Sequence, residues 1–393
     1  MPWLLRMTLV VSGLMAVSHF YLGWRLTKAV SYNFKESLLK WFPALLLVSF
    51  YMLPLTGLST FWVYGHVDMM QVPKWITYWF WFGLVFSYQL LTWVILFDVA
   101  KIIAGKFGRW REQKINTFHF RALLIAGLLV FIFSGVKLYL NTTQVQVDEI
   151  DLAIKDLPES LDGLKIVHIT DIQGDRYTGA EEIVNYVNRV NELDVDLIIF
   201  TGDLISYGTD YIEMAAREFS KVKSTYGTFA VVGDHDFWAG LEHVEPALED
   251  RGIPLLRDEN EIISIKQDSL LLTGITQVYS KRANPQEVDS LTKVNPGLSF
   301  KILASHQTSD ILIDEAQEND YRLFLTGHTH GGQIRVPFMF MAFSASDMET
   351  EYVNGPYWLE DLLINVNNGL GFTLGPVRYN APPNISVINL KAK

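Results

Sequence analysis

The chain has 393 residues, 49% of them hydrophobic, which at roughly 100–200 residues per domain leaves room for two or three domains. It has no cysteine, so disulfides, thiolate zinc sites and cysteine nucleophiles are excluded. The net charge is −11, yet basic residues outnumber acidic ones by nine before residue 140, so the remainder carries −20 and would repel a nucleic acid.

The hydrophobic excess sits in the first third. Four apolar stretches, near residues 7–24, 41–64, 75–98 and 121–139, each approach the roughly 20 residues that cross a bilayer. Trp, Tyr, Lys and Arg cluster at their ends, as interfacial anchors do. Pro43 and Pro54 stand at the start and middle of the second stretch, where lipid tolerates a kinked helix. The first stretch ends in Trp24-Arg25 and is succeeded by three more, a pattern unlike a cleaved signal peptide.

Loop charge sets the expected orientation. The first connection carries Arg25, Lys28, Lys35 and Lys40, and the third carries Lys101, Lys106, Arg109, Arg111 and Lys114. The second, GHVDMMQVPK, is nearly uncharged, so the first and third are expected to be cytoplasmic. Four spans then place the region after residue 140 on the extracytoplasmic side of the cell membrane. Asp98 lies at the basic edge of the third span, where an interfacial ion pair with Lys101 is expected.

From Val145 onward, short runs rich in β-branched and aromatic residues alternate with amphipathic stretches. Strands are predicted at 165–170, 196–201, 228–233, 261–265, 269–275, 300–305, 322–326, 362–366 and 385–390. Helices are predicted near 180–192, 211–223, 241–251 and 311–318. Several strands are apolar throughout, which buries both faces and points to a layered α/β fold.

Residues at the carboxyl ends of these strands carry the chemistry. KIVHIT leads to Asp171, DLIIFTG to Asp203, TFAVVG to Asp234-His235-Asp236, FKILAS to His306, and RLFLTG to His328-Thr329-His330. Ligands gather at the carboxyl edges of open α/β sheets. Asp and His without cysteine suit a divalent cation of hard or intermediate character. These Asp and His positions are more than one ion needs and suit two ions sharing a carboxylate, the arrangement that clamps an in-line phosphoryl displacement.

The ordered blocks DIQ (171–173), GD (202–203), GDHD (233–236), SH (305–306) and GHTHGGQI (327–334) resemble those of the calcineurin-like metallophosphoesterases. The GHTHGGQI block and the ending NNGLGFTLGPVRYNAPPNISVINL look closest to the membrane-linked YkuE-type branch. The resemblance spans roughly residues 145–390. It implies a four-layer α/β/β/α sandwich, with residues 1–140 as a four-helix membrane anchor and 141–393 as the catalytic domain. It further implies hydrolysis of a phosphate monoester or diester by a metal-activated hydroxide on a dinuclear centre. Asp171, Gln173 and His330 would hold the first ion, Asp203 would bridge, and Asp234, His306 and His328 would hold the second. His235 would stabilise or protonate the leaving group, and Gly331 and Gly332 would let the backbone pass close to the ion-bearing turn.

Three positions depart from that pattern. Gln173 replaces a histidine, Asp234 an asparagine, and Ser206 the aspartate that would orient His235. The added oxygen character favours manganese ahead of magnesium, iron or zinc. Losing the aspartate beside His235 removes an orienting contact. Asp175 and Asp236 are near enough in sequence to compensate, unless they are loop carboxylates on solvent. The alternative function is a weakened membrane receptor or scaffold that binds a phosphorylated ligand without turnover. The FMFMAF core of residues 335–352 reads as a buried strand and loop, or as a pocket wall for a lipid-linked substrate.

Overall fold

A computed structural model describes residues 3–34, 38–65, 72–107, 111–294, 297–339, 341–373 and 375–393. Lys35, Arg109, Phe340 and most of the GHVDMMQVPK connection lie outside them. Five helices open the chain: α1 (Trp3–Asn33), α2 (Phe42–Ser49), α3 (Met52–Tyr64), α4 (Lys74–Phe107) and α5 (Glu112–Thr143). Three of them, over Leu5–Asn33, Lys74–Phe107 and Glu112–Thr143, are long and apolar enough to cross a membrane. The expected second span is a pair, α2 and α3, bent by 56°, which makes a fourth if it crosses as one. The break falls at Phe50 and Tyr51, four and three residues before Pro54. Proline lacks the N–H, and its ring clashes with the carbonyl four residues back, so the helix is interrupted there.

Strands and helices then alternate in the order β1 (Gln146–Ile154), β2 (Lys165–Ile169), α6 (Ala180–Asn191), β3 (Leu197–Phe200), α7 (Ile212–Phe219) and β4 (Thr228–Val231). Next come α8 (Asp234–Ala239), α9 (Leu241–Glu249), β5 (Leu255–Leu256), β6 (Glu259–Ile265), β7 (Asp268–Ile275) and α10 (Pro285–Thr292). The chain closes with β8 (Lys301–Ser305), α11 (Asp310–Glu318), β9 (Leu323–Thr326), β10 (Val336–Phe338), β11 (Met341–Phe343), β12 (Gly355–Leu359), β13 (Leu362–Val366) and β14 (Asn384–Ala392).

Two mixed six-stranded sheets result, ordered β1-β14-β2-β3-β4-β5 and β12-β13-β9-β8-β7-β6. Their facing sides share one core, in which Ile166, Leu197 and Ile199 meet Ile302, Leu323 and Leu325. On the far side of the first sheet, Val167, Ile198 and Phe200 pack against Ile183 of α6, Ala216 of α7 and Val244 of α9. On the far side of the second, Leu271, Leu303 and Phe324 pack against Val288 of α10 and Leu312 of α11. Alternate residues of one strand thus serve two cores, which is why these strands are apolar throughout. The result is the four-layer α/β/β/α sandwich expected from the sequence. The missed β1 pairs only with β14 and leaves Asp148, Glu149 and Asp151 exposed, so it lacks the continuous apolar signature.

The chain divides into two compact units. One is Met1–Thr142 with Ile334–Ser344 and Leu374–Asn380, and the other is Thr143–Gln333, Ala345–Thr373 and Ala381–Lys393. Within the first, the β10–β11 hairpin that carries the FMFMAF run lies on α4, where the Met339 N–H donates to Thr92 Oγ1 at 3.1 Å. Met341 and Phe343 are exposed, so this run is not the buried strand read from the sequence. Asp98 also differs from expectation. It accepts from Arg25 and Tyr21 of α1 and pairs with His119 of α5 at 2.6 Å, while Lys101 lies over the Phe120 ring. Arg25 and His119 reach it from other helices, and no one-helix spacing reveals that.

Candidate metal centre

The parallel strands β2, β3 and β4 deliver Asp171, Asp203 and Asp234 just beyond their carboxyl ends, and β8 and β9 deliver His306, His328 and His330. Each loop turns sharply there. Asp171, Gln173, Asp203, His328 and His330 all adopt left-handed backbone, with φ of 50°, 53°, 59°, 68° and 51°. Such residues cost of order 1–3 kcal/mol each and persist only where the surroundings over-determine them. Here the loops bind one another. Asp171 N–H donates to Gly202 O, Gln173 N–H to Asp203 O, and Gly327 N–H to His306 O, all within 2.9–3.0 Å. Gly233 is required by space, because a Cβ there would lie 2.1 Å from the Asp203 nitrogen. At Gly331, φ is +61° and a Cβ would meet Asn368 Oδ1 at 2.3 Å.

All eight residues singled out from the sequence converge. Asp171, Asp203 and His306 present ligand atoms within 4.8 Å of one another, and so do Asp234, His306 and His328. Among the described residues the two groups share His306. His330 Nε2 lies 3.0 Å from Asp171 Oδ1, and His328 Nδ1 lies 2.9 Å from Asp234 Oδ2. Gln173 donates its amide to Asp203 Oδ2 at 2.8 Å, leaving its own buried Oε1 without a hydrogen-bond partner. His235 stands with Nε2 4.0 Å from Asp203 Oδ2, and its backbone N–H donates to Asp203 Oδ1.

The tautomer of His306 is set by its neighbour. Nδ1 lies 2.7 Å from the Thr201 carbonyl, which can only accept, so Nδ1 carries a proton. Nε2 then faces Asp203 at 3.3 Å and Asp234 at 3.5 Å, buried and without a hydrogen bond. A lone pair aimed at two carboxylates is repelled unless a cation or a proton lies between them. The buried Asp171 Oδ1 is likewise without a hydrogen bond. These donors are the oxygen and imidazole set that suits divalent cations, and they fit such ions.

The titration directions agree. Burial opposes charge on His306, but Asp203 and Asp171 raise its pKa well above the ordinary histidine value. Burial also opposes charge on His328, which its hydrogen bonds to Asp234 and Glu349 raise to about 9. Against the same burial cost, His330 and His306 hold Asp171 far below the usual carboxylate range. Asp234 is held at about 2, against burial, by its bond to His328 and the charge of His306. Protons on the histidines supply positive charge that the carboxylates demand.

Several supporting contacts were not legible in the sequence. Asp236 is buried, not on solvent, and accepts from the N–H groups of Asp203, Leu204 and Gly233, tying two ligand loops together. Burial and the Asp203 charge push it up to about 7. Asp175 is also buried and accepts from Tyr177 and Thr178 N–H in its own loop, while the buried His235 Nδ1 has no hydrogen-bond partner among the described residues. Ser206 Oγ donates to the Gln173 carbonyl at 3.2 Å. Gln307 and Tyr279 N–H hold Asp234, while Glu349 lies 3.1 Å from His328 Nε2. Glu349 belongs to no motif and reaches the site only through the fold.

Residues 164–332 match the family model described as calcineurin-like phosphoesterase. The chain is 28% identical over 315 residues to an uncharacterized metallophosphoesterase of Campylobacter jejuni, covering 78% of this chain and 79% of the relative. It is 29% identical over 264 residues to the uncharacterized metallophosphoesterase YkuE of Bacillus subtilis, covering 66% and 90%. A transmembrane protein with metallophosphoesterase domain from Danio rerio is 26% identical over 313 residues, covering 77% and 70%.

Proposed function

We propose that this membrane-associated, metal-dependent member of the calcineurin-like phosphoesterases hydrolyses a phosphate monoester or diester with an apolar, lipid-linked leaving group, at a two-ion centre on the extracytoplasmic face of the cell membrane. The convergence of Asp171, Asp203, Asp234, His306 and His328 within the two overlapping groups carries this reading. Asp171, Gln173 and His330 would hold one ion and Asp234, His306 and His328 the other, with Asp203 serving both. When bound, the two ions supply the charge that activates water and offsets the charge growing on the phosphoryl oxygens. The chain's own residues do the rest. His235, 19% exposed at its side chain, faces the reacting phosphoryl and donates a proton or hydrogen bond to the departing oxygen. Asp236 holds the Asp203 loop in its strained conformation, which fixes the Asp203 carboxylate before substrate arrives.

Two exposed rings support the apolar leaving group. Trp238 is 53% exposed and Tyr279 46% exposed, and their rings lie parallel with centroids 6.4 Å apart. Trp238 stands 5.0 Å from the His235 ring, and Tyr279 5.0 Å from the His328 ring. Exposed aromatics beside reacting groups offer an apolar face to whatever leaves. A second reading, a receptor without turnover, is favoured by the missing imidazole at Gln173 and by Ser206 contacting the Gln173 backbone.

The test is hydrolysis of an aryl phosphate ester by purified full-length protein with added manganese, and by its His235→Ala variant. Turnover that His235→Ala abolishes while metal content stays unchanged supports the enzyme. Absence of turnover with manganese, magnesium, iron and zinc, alongside retained binding of a phosphorylated ligand, supports the receptor.

A further inference from the structure

Within the helical unit, α4 and α5 line an open groove of about 1030 Å³ that is apolar along most of its length. Its residues on α5 recur at helical spacing, with Ala122, Ala126, Val130 and Phe133 on one stripe. The two alanines hollow the wall. Opposite them stand the rings of Trp93 and Phe97, four residues apart on α4 with centroids separated by 6.2 Å. The apolar stretch from Arg121 to Phe133 is about 18 Å long at ~1.5 Å per residue, close to one leaflet of a ~30 Å hydrocarbon core.

One end of this groove is cationic. Lys114 and Arg121 line it two turns apart on the same face of α5. Among the described residues, neither is paired with an acid. Asp98, the acid on the facing helix, is taken by Arg25, Tyr21 and His119. Glu112 does not line the groove. An apolar slot of acyl length ending in two unpaired cations matches an anionic amphiphile.

We infer that this groove is a binding site for an anionic glycerophospholipid, with its phosphate on Arg121 and Lys114 and one acyl chain between Trp93, Phe97 and the Ala122–Ala126 hollow. Charge complementarity selects this occupant over a second copy of the chain. A copy inserted in the same orientation would bring its own Lys114 and Arg121 to the same depth, setting like charges together. The site rests on α4 and α5 lying in a bilayer, and it is independent of the phosphoesterase chemistry.

The test is native mass spectrometry of the full chain purified in detergent and given equal phosphatidylglycerol and phosphatidylcholine. Near a membrane surface each cation favours an anionic lipid about fivefold, so the pair should prefer phosphatidylglycerol about thirty-fold. Lys114→Gln with Arg121→Gln should bring the two lipids to parity, and Arg121→Lys should keep the preference. Ala126→Trp, which fills the hollow, should release both lipids. Parity in the unaltered protein, or a preference unchanged in the double variant, overturns the site. So does cross-linking of Ile125→Cys, the chain's sole thiol, to a second copy. Extraction of the chain without detergent would instead overturn the bilayer placement of α4 and α5.

Discussion

Thr201 fixes His306. Its carbonyl accepts a hydrogen bond from Nδ1–H at 2.7 Å, and the opposite ring nitrogen is thereby turned on Asp203 and Asp234. His306 belongs to both ligand groups and faces the shared Asp203, so its loss should remove one ion directly and weaken the other through Asp203. His306→Ala is expected to lower metal content from two equivalents toward none and to cut kcat/KM by more than about a hundredfold. Elemental analysis of protein purified without chelators reads the first, and ester hydrolysis the second. Two ions retained in the variant would remove His306 from the centre.

Metal binding should release protons. Without metal, His306 lies well above the ordinary histidine value and His328 at about 9, so both are charged at pH 7. A cation must displace those protons, and apparent manganese affinity should rise with pH through about 9. Stability of the metal-free protein has the opposite sign. The contribution of a raised histidine is fully present below its unfolded value, near 6.5, and is lost as pH climbs through about 9. Calorimetry in buffers of different ionisation enthalpy and thermal melts with and without manganese check both. Binding without proton release would contradict the charge assignment.

Glu349 holds His328 from behind, 3.1 Å from Nε2, and its carboxyl is lowered by that hydrogen bond. Glu349→Gln keeps the shape and removes the charge. An orienting contact of this kind is worth about 10–100-fold in metal affinity. The variant should lose that much at one of two ions and keep its circular dichroism spectrum. An unchanged binding isotherm would make Glu349 a bystander.

Gln173→His tests the missing imidazole. Histidine tolerates the φ of 53° at this position better than most residues. It replaces the amide oxygen with a stronger donor, so affinity for the weaker ion should rise about tenfold. A titration coupled to metal analysis reads this directly, and no gain would mean that the side chain at 173 does not reach an ion.

In the helical unit, Asp98→Asn should leave Arg25 without its ionic partner. Breaking a buried pair on one side costs about 3 kcal/mol, so the detergent-solubilised protein should melt several degrees lower. Adding His119→Ala should then cost little more, because both changes remove one network. Independent, additive losses would show that the contacts are separate.

The sandwich was legible because each inner strand serves two cores. Doubly buried strands must be apolar at nearly every position, and several such runs stand out in the sequence. The candidate centre was legible for a related reason: a ligand at a strand end needs no distant partner to be recognised as Asp or His after an apolar run. The bend between α2 and α3 was announced by Pro54, whose effect reaches only four residues. By contrast, β1 left no clear trace, since a solvent-facing edge strand places few demands on its side chains.

Composition and local pattern thus determined the membrane-type helices, the layered sheets and the cast of aspartates and histidines. The tertiary structure alone decided that His306 is common to both ligand groups, that Glu349 backs His328, that Asp236 ties two loops instead of meeting solvent, and that Asp98 meets Arg25 and His119 instead of Lys101. The reason is separation along the chain. A hydrophobic period is set by neighbours within a turn or a strand, whereas the partner of a buried charge is whichever group the packed elements bring to it.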